Sequence, residues 1–339
     1  MLERVIDWSL RHRVAVLAML AVACVLGLAS LRALDVDAFP DTSPVQVQVN
    51  TVAPALAPEQ IEQQITFPVE RSISGLPALQ SVRSVSKFGL SQVVVTFAEG
   101  TDIWFARRLV GERLAEVELP PGVRPPALGP VATGLGEVFH YVLTSESGDL
   151  QELRTVQDWV IAPALRALPG VAEVNSWGGE VRQVEVRVDP ARLQRYGLSM
   201  ERVVAALRAN NGAAGGGSVA SEGSMRLVQG IAIAGDVATV GDIVLASHDG
   251  TPIHVHDVAT VADGVEVRRG AVTFQGKGEA VLGLGFLLMG ENTHVVTTRL
   301  RKALDELRPR LPSGVRAEVV YDRTELVDHV LDTVRQNLF

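Results

Sequence analysis

Of 339 residues only one is cysteine, Cys24, and it lies inside an apolar run. It can form no internal disulfide and cannot by itself supply a thiolate metal site. Aromatic residues make up 5% of the chain against a hydrophobic fraction of 47%, so the core must be built from Val, Leu and Ala. Positive charge is not in excess. The formal net charge is −8, which excludes a generally basic face for phosphate and argues against nucleic acid as a partner.

Enzyme signatures are also missing. Gly270 to Lys277 (GAVTFQGK) mimics a P-loop, but its glycine spacing is one residue too long. Gly278 stands where Ser or Thr would hold magnesium. Gly134-Leu135-Gly136 and Gly283-Leu284-Gly285 lack the third glycine of a dinucleotide loop, and neither G-x-S-x-G nor H-E-x-x-H occurs. The sequence therefore points away from an enzyme and shows no bound cofactor.

What the chain does contain is Val14 to Leu31, a stretch of 18 residues without a charge. As a helix rising about 1.5 Å per residue it is close in length to a bilayer's hydrocarbon core. Arg4, Arg11, His12 and Arg13 precede it; Arg32 and then Asp35, Asp37 and Asp41 follow. That bias predicts a transmembrane helix with a cytoplasmic N-terminus and an exported remainder. A cleaved signal peptide is the competing reading, but the apolar run exceeds the usual h-region and no clean A-x-A site follows.

Beyond the helix the pattern is α+β. Val45 to Thr51 alternates with period two and reads as a half-buried strand. Pro58 opens a helix through Ile73, which Gly75-Leu76-Pro77 stops. Leu79 to Ser86 and Ser91 to Phe97 flank a short turn at Phe88-Gly89, and Asp102 can cap the next helix. The same grammar recurs in Val138 to Thr144, Leu150 to Ala167 and Val171 to Trp177. It resumes with Ala280 to Leu288, Asn292 to Arg310 and Arg316 to Tyr321. Two echoes support an internal repeat: GLPALQSVRSVS at Gly75 against ALPGVAEVNSWG at Ala167, and LPPGVRP at Leu119 against LPSGVRA at Leu311. Two ferredoxin-like βαβ units are the natural reading.

An insertion from about Arg182 to Gly270 interrupts the second unit. Asp189-Pro190 starts one short helix there and Ser199 caps another. The segment NNGAAGGGSVASEGS, with Asn211, Gly212, Gly215, Gly216 and Gly217, has too few apolar side chains to pack on itself. It reads either as a flexible loop or as an arm held in shape by a neighbouring subunit. Further on, Ile253-His254-Val255-His256-Asp257 sets two histidines at i and i+2, on one face of a strand. Such imidazoles could share a zinc ion with His248 or Asp257 as third ligand; the alternative is a solvated strand face. The last segment, Glu325 to Phe339, is helical and amphipathic and ends without a terminal signal, as if cut short.

Several blocks now carry a resemblance. DVDAFPD at Asp35, FPVERSISGLP at Phe67, FGLSQVVVTFAEGTDIWFARRLV at Phe88, GPVATGLGEVF at Gly129 and QDWVIAPALRALPGVAEVNSWGG at Gln157 resemble the resistance–nodulation–division superfamily. DPARLQRYGLS at Asp189, GENTHVV at Gly290 and YDRTELVD at Tyr321 extend the match over essentially the whole chain. The branch it looks like is heavy-metal cation efflux, CzcA-like. The resemblance implies an inner-membrane, proton-driven antiporter with a divalent metal ion as transported substrate and the proton as coupling ion. It also implies a homotrimer working with a periplasmic membrane-fusion adaptor and an outer-membrane channel.

On that mapping, residues 1–34 are the cytoplasmic N-terminus and first transmembrane helix, and 35–135 the first porter subdomain. Residues 136–181 with 271–325 form the second porter subdomain and 182–270 the docking subdomain, where the glycine arm would serve trimer docking. Residues 326–339 lead into a second transmembrane helix. Drug or amphiphile efflux, and a membrane-anchored periplasmic scaffold or binding protein, are the competing functions. The five methionines are scattered, which disfavours a soft Cu(I) site, and the resemblance lends the His254 and His256 pair no support. Glu137 follows the glycines at the junction of the two porter units, which puts a carboxylate on the substrate-metal path; the alternative is a solvated glutamate at the start of a strand. Copper-exporting members of the family carry an apolar aromatic residue at that position.

Overall fold

The structure is a computed structural model, and it describes residues 8, 10–32, 43–54, 56–210, 212–221, 224–232, 235–248 and 250–338. Arg4, Asp35, Asp37, Asp41 and Asn211, used in the sequence readings, lie outside these residues. Helix α1 spans Arg13–Arg32, with no acidic residue in its first turn. Leu17, Met19, Leu20 and Val25 on it are exposed. Among the described residues no helix is long and apolar enough to cross a membrane. The expected helix is present, then, but a membrane span is not established by the described residues.

The first sheet unit runs β1 (Gln46–Val52), helix α2 (58–73), β2 (Leu79–Lys87), β3 (Leu90–Phe97), α3 (Ile103–Leu114) and β4 (Ala127–Leu128). Its strands are antiparallel in the order β4-β1-β3-β2, the arrangement of a split βαβ fold. Alternation decides which face is covered: Val47, Val49, Val93, Val95 and Phe97 are buried against Val69, Ile73, Ala106 and Val110 of the helices. Asp102 caps α3 by accepting from the Phe105 amide at 2.6 Å.

Helix α2 is not uniform. Glu62–Thr66 forms a π-turn, closed by the Phe67 amide donating to the Glu62 carbonyl. Pro68 follows; it has no N–H for the carbonyl four residues back and its ring crowds that carbonyl. The wider turn relieves the clash. It also aims Thr66 inward, where its hydroxyl meets Ser91 Oγ at 2.7 Å and Ser86 Oγ at 2.9 Å.

The second unit begins with β5 (Glu137–Ser145), helix α4 (150–166) and β6 (Val171–Gly178). Helix α4 repeats the device: Gln157–Ile161 is a π-turn closed by Ala162 N–H to Gln157 O, immediately before Pro163. Its inward residue, Gln157, accepts from the Tyr141 hydroxyl at 3.0 Å and donates to Ser176 Oγ at 3.2 Å. Burial pushes the Tyr141 phenol well up, opposed by its bond to Gln157.

The chain then leaves the second sheet. β7 (Arg182–Val188), α5 (Pro190–Arg195) and α6 (Met200–Ala209) lead to β8 (Gly212–Ser221) and β9 (Ser224–Ala232). After α7 (Val237–Gly241) come β10 (Val244–His248), β11 (Thr251–His254), α8 (Val255–Val258) and β12 (Ala259–Val265). β12 pairs with β7 over seven residues, and a separate core gathers Leu193, Val203, Leu245, Ile253, Val255 and Val258. The glycine-rich segment is not a loop. β8 and β9 form an antiparallel hairpin with an irregularity between Gly215 and Ser218, because ladder hydrogen bonds need only backbone.

β13 (Val272–Thr273), β14 (Glu279–Leu287), α9 (Thr293–Leu307) and β15 (Val315–Asp322) complete the second sheet, and α10 (Arg323–Leu338) ends the described chain. The strand order is β15-β5-β14-β6, with β13 also pairing β14. It is the order of the first sheet. Gly283 faces Tyr141 so closely that a Cβ there would lie 2.2 Å from Tyr141 Cζ, which is why this strand position carries no side chain.

Candidate functional site

The segment joining the two sheets is tied down from several sides. Arg107 Nη1 donates to the Gly129 carbonyl at 2.7 Å, and the Met289 amide to the Val131 carbonyl at 3.1 Å. Gly134–Gly136 forms a single 3₁₀ turn, whose Leu135 carbonyl accepts from Arg323 Nη1. A Cβ on Gly136 would lie 3.1 Å from the Leu287 carbonyl. This glycine is therefore small enough to fit against β14.

Glu137 opens β5 directly after that turn. In a regular strand, residues i and i+3 point to opposite faces. Here Glu137 pairs with Phe286 while Phe139 pairs with Gly285, so β5 carries an extra residue at Val138. β15 carries its own irregularity beside it, between Val319 and Tyr321. These bulges re-aim side chains. As a result Glu137 Oε1 lies 2.7 Å from His140 Nε2, with the two side chains 35% and 25% exposed.

The contact has the distance of a hydrogen bond, and the His140 Nε2 atom that makes it is buried. The Tyr321 ring packs on the imidazole with centroids 4.7 Å apart. Burial pushes the His140 imidazole below its ordinary value, and the Glu137 carboxylate pulls it part of the way back. No sequence pattern announced His140; only the bulge brings it to Glu137.

Below this pair, Asp322 is buried and accepts from Arg301 Nε at 2.6 Å and from the Thr324 amide at 2.8 Å. Arg301 also reaches Glu325 Oε1 at 2.7 Å. The start of α10 is thereby joined to α9 and, through Arg323, to the turn that precedes Glu137.

His248, His254 and His256 are arranged differently from the expectation. β11 ends at His254 and Val255–Val258 is a helical turn, so His254 and His256 do not share a strand face. Asp257 caps that turn, accepting from the His254 amide at 2.8 Å. The two rings stack 5.1 Å apart, with Nδ1 of His254 on the Asp242 carbonyl and Nδ1 of His256 on the Gly241 carbonyl. His248 stands opposite Thr251 and, with Asp257, Arg195 and Tyr196, lines a cleft of about 480 Å³. Among the described residues no three His, Cys, Asp or Glu side chains converge to hold a metal ion. Of the glycine arm, Gly212, Gly215, Gly216 and Gly217 lie on β8.

Two split βαβ sheets of one strand order, joined by a glycine turn and interrupted by an inserted lobe, are the fold of an export-pump family. The family model described as AcrB/AcrD/AcrF matches residues 5–339, and the chain belongs to this family, within the resistance–nodulation–division superfamily. Protein HelA of Legionella pneumophila is 46% identical over 347 aligned positions. The cobalt-zinc-cadmium resistance protein CzcA of Cupriavidus metallidurans is 41% identical over 349. The cation efflux system protein CusA of Escherichia coli K12 is 38% identical over 343. Each alignment covers 100% of this chain and 33% of the relative. A crystal structure of a heavy metal efflux pump superposes with a TM-score of 0.90 at 32% identity, covering 98% of this chain and 33% of that one. The chain thus spans about a third of the length of the proteins it matches.

Proposed function

We propose that this chain is the N-terminal part of an inner-membrane, proton-driven antiporter that exports divalent heavy-metal cations of the zinc, cobalt and cadmium type. The observation that carries the reading is similarity along the whole chain to relatives named for cation efflux and cobalt-zinc-cadmium resistance. Glu137 supports it locally: a carboxylate beside an imidazole is the oxygen and nitrogen donor set such ions accept.

In this reading α1 crosses the membrane with its N-terminus in the cytoplasm, and the rest of the described chain is periplasmic. Residues 35–135 form one porter subdomain, 136–181 with 271–325 the second, and 182–270 the docking subdomain. The β8–β9 hairpin is the arm that engages a neighbouring protomer in a homotrimer. A membrane-fusion adaptor and an outer-membrane channel complete the assembly. The proton supplies the driving force.

The test uses the whole transporter gene in a bacterial host stripped of its own metal exporters. Raised resistance to zinc, cobalt and cadmium, lost on collapse of the proton gradient, is expected. Sensitivity equal to an empty vector, at verified expression, overturns the reading.

A further inference from the structure

We propose that His140 and Glu137 together form a two-ligand site for a divalent cation of borderline softness, such as zinc or cobalt, occupied in passing during export. The inference rests on the transport reading above and deepens it by naming the nitrogen ligand beside Glu137.

Four observations meet at this point. The carboxylate oxygen and ring nitrogen face each other at 2.7 Å although strand parity would separate them. Bulges in β5 and in β15, at one level of the sheet, produce that encounter. Such irregularities cluster next to functional sites. The His140 Nε2 atom is itself buried, so the nitrogen side of the pair is shielded from bulk water. Finally, the Tyr321 ring fixes the plane of the imidazole.

The geometry is close to that of a coordinated ion. With bonds of about 2.0–2.2 Å, two ligand atoms on one tetrahedral zinc lie about 3.4 Å apart. The pair must therefore open by about 0.7 Å, within reach of small side-chain rotations. On binding, the metal takes the ring nitrogen's lone pair and a carboxylate oxygen. Any proton held between the two leaves to solvent or to the other ring nitrogen. Both side chains are partly exposed, so water or groups from beyond this chain can fill the remaining positions. Two protein ligands hold an ion less firmly than the four of a structural zinc site, which suits a cargo that must move on.

The test is site-resolved, because the chain has six other histidines that a zinc titration also probes. The full 339-residue chain in detergent, labelled with ¹⁵N at histidine, is titrated with zinc sulfate and separately with magnesium sulfate. Zinc should shift the His140 ring nitrogens and magnesium should not. His140→Gln and Glu137→Gln should each weaken zinc binding at this site by about tenfold or more. The double variant should lose no more than the stronger single one. A zinc titration that moves only His248, His254 or His256 overturns the site; this readout needs no variant to fold. In the whole transporter, His140→Gln should lower zinc and cobalt resistance together with Glu137→Gln. Full resistance in His140→Gln with loss in Glu137→Gln sinks the two-ligand site and leaves the transport reading standing. Absence of resistance in the unmodified transporter sinks the transport reading, while the titration still decides the site.

Discussion

Arg323, the first residue of α10, donates its Nη1 to the carbonyl of Leu135, 188 positions earlier in the chain. The arginine is 4% exposed, so the last described helix and the turn before Glu137 are held as one piece. Hydrogen bonds from charged donors contribute about 1.5–3 kcal/mol. Arg323→Ala should cost about that much and lower the thermal midpoint of the chain by several degrees. Glu137→Gln should leave the midpoint within about 1 °C, since a partly exposed pair contributes little. Equal midpoints for Arg323→Ala and the unmodified chain would show that the turn does not depend on this anchor.

Gly283 and Tyr141 make a second test. An added methyl at Gly283 would meet the Tyr141 ring at 2.2 Å, and overpacking of this kind costs about 1–3 kcal/mol. Gly283→Ala should therefore unfold at lower urea concentration. Tyr141→Ala removes the obstacle at the expense of a cavity and of Gln157's hydroxyl partner. Adding Gly283→Ala to Tyr141→Ala should then cost less than Gly283→Ala alone, a non-additivity that a urea melt of the four proteins measures.

The pH dependence of stability follows from His140. Its folded value lies below the ordinary 6.5, mainly through burial, so the unfolded chain takes up the proton first. Stability is full above about 6.5 and is lost as the pH falls through the folded value. The drop in urea midpoint between pH 7.5 and pH 5.5 should be smaller in His140→Gln than in the unmodified chain. An equal or larger drop in the variant would mean that the folded imidazole is not depressed.

Sidedness can be read with fusions after Phe97. With α1 spanning the membrane and its N-terminus cytoplasmic, a reporter active only in the periplasm should be active there. Activity from the cytoplasmic reporter alone would reverse the topology.

Much of the fold could be read from local chemistry. Val47, Val49, Val93 and Val95 alternate in the sequence and are buried in the structure. The residues that cap helices do so by side chains suited to it: Asp102, Asp189, Ser199 and Asn292 each accept from backbone amides. What sequence could not show are departures from a period. A π-turn shifts the phase of a helix by one residue, and the residue spacing around Pro68 and Pro163 does not announce it. The His140 partnership depends on one extra residue in a strand, for which no residue type is diagnostic. The opposite error occurred at His254 and His256, where a strand reading ran on across a turn capped by Asp257. Glycine's poor strand propensity likewise hid β8.

The lobe between β7 and β12 is reached through one two-stranded ribbon, seven residues on each side. At about 3.3 Å per residue it is a stem of roughly 23 Å. Its foot is rigid: Gly178 and Gly179, both with positive φ, are pressed against β14 so closely that added Cβ atoms would lie 2.7 Å and 2.6 Å from Ala280 and Val281. Seen as a mechanical part, the stem is stiff in tension, because a pull along it is carried by two extended backbones side by side. It is compliant in torsion, as narrow ribbons are. A turning moment applied to the lobe is therefore taken up along the stem, whereas a pull passes down both strands to the glycine foot and to β14.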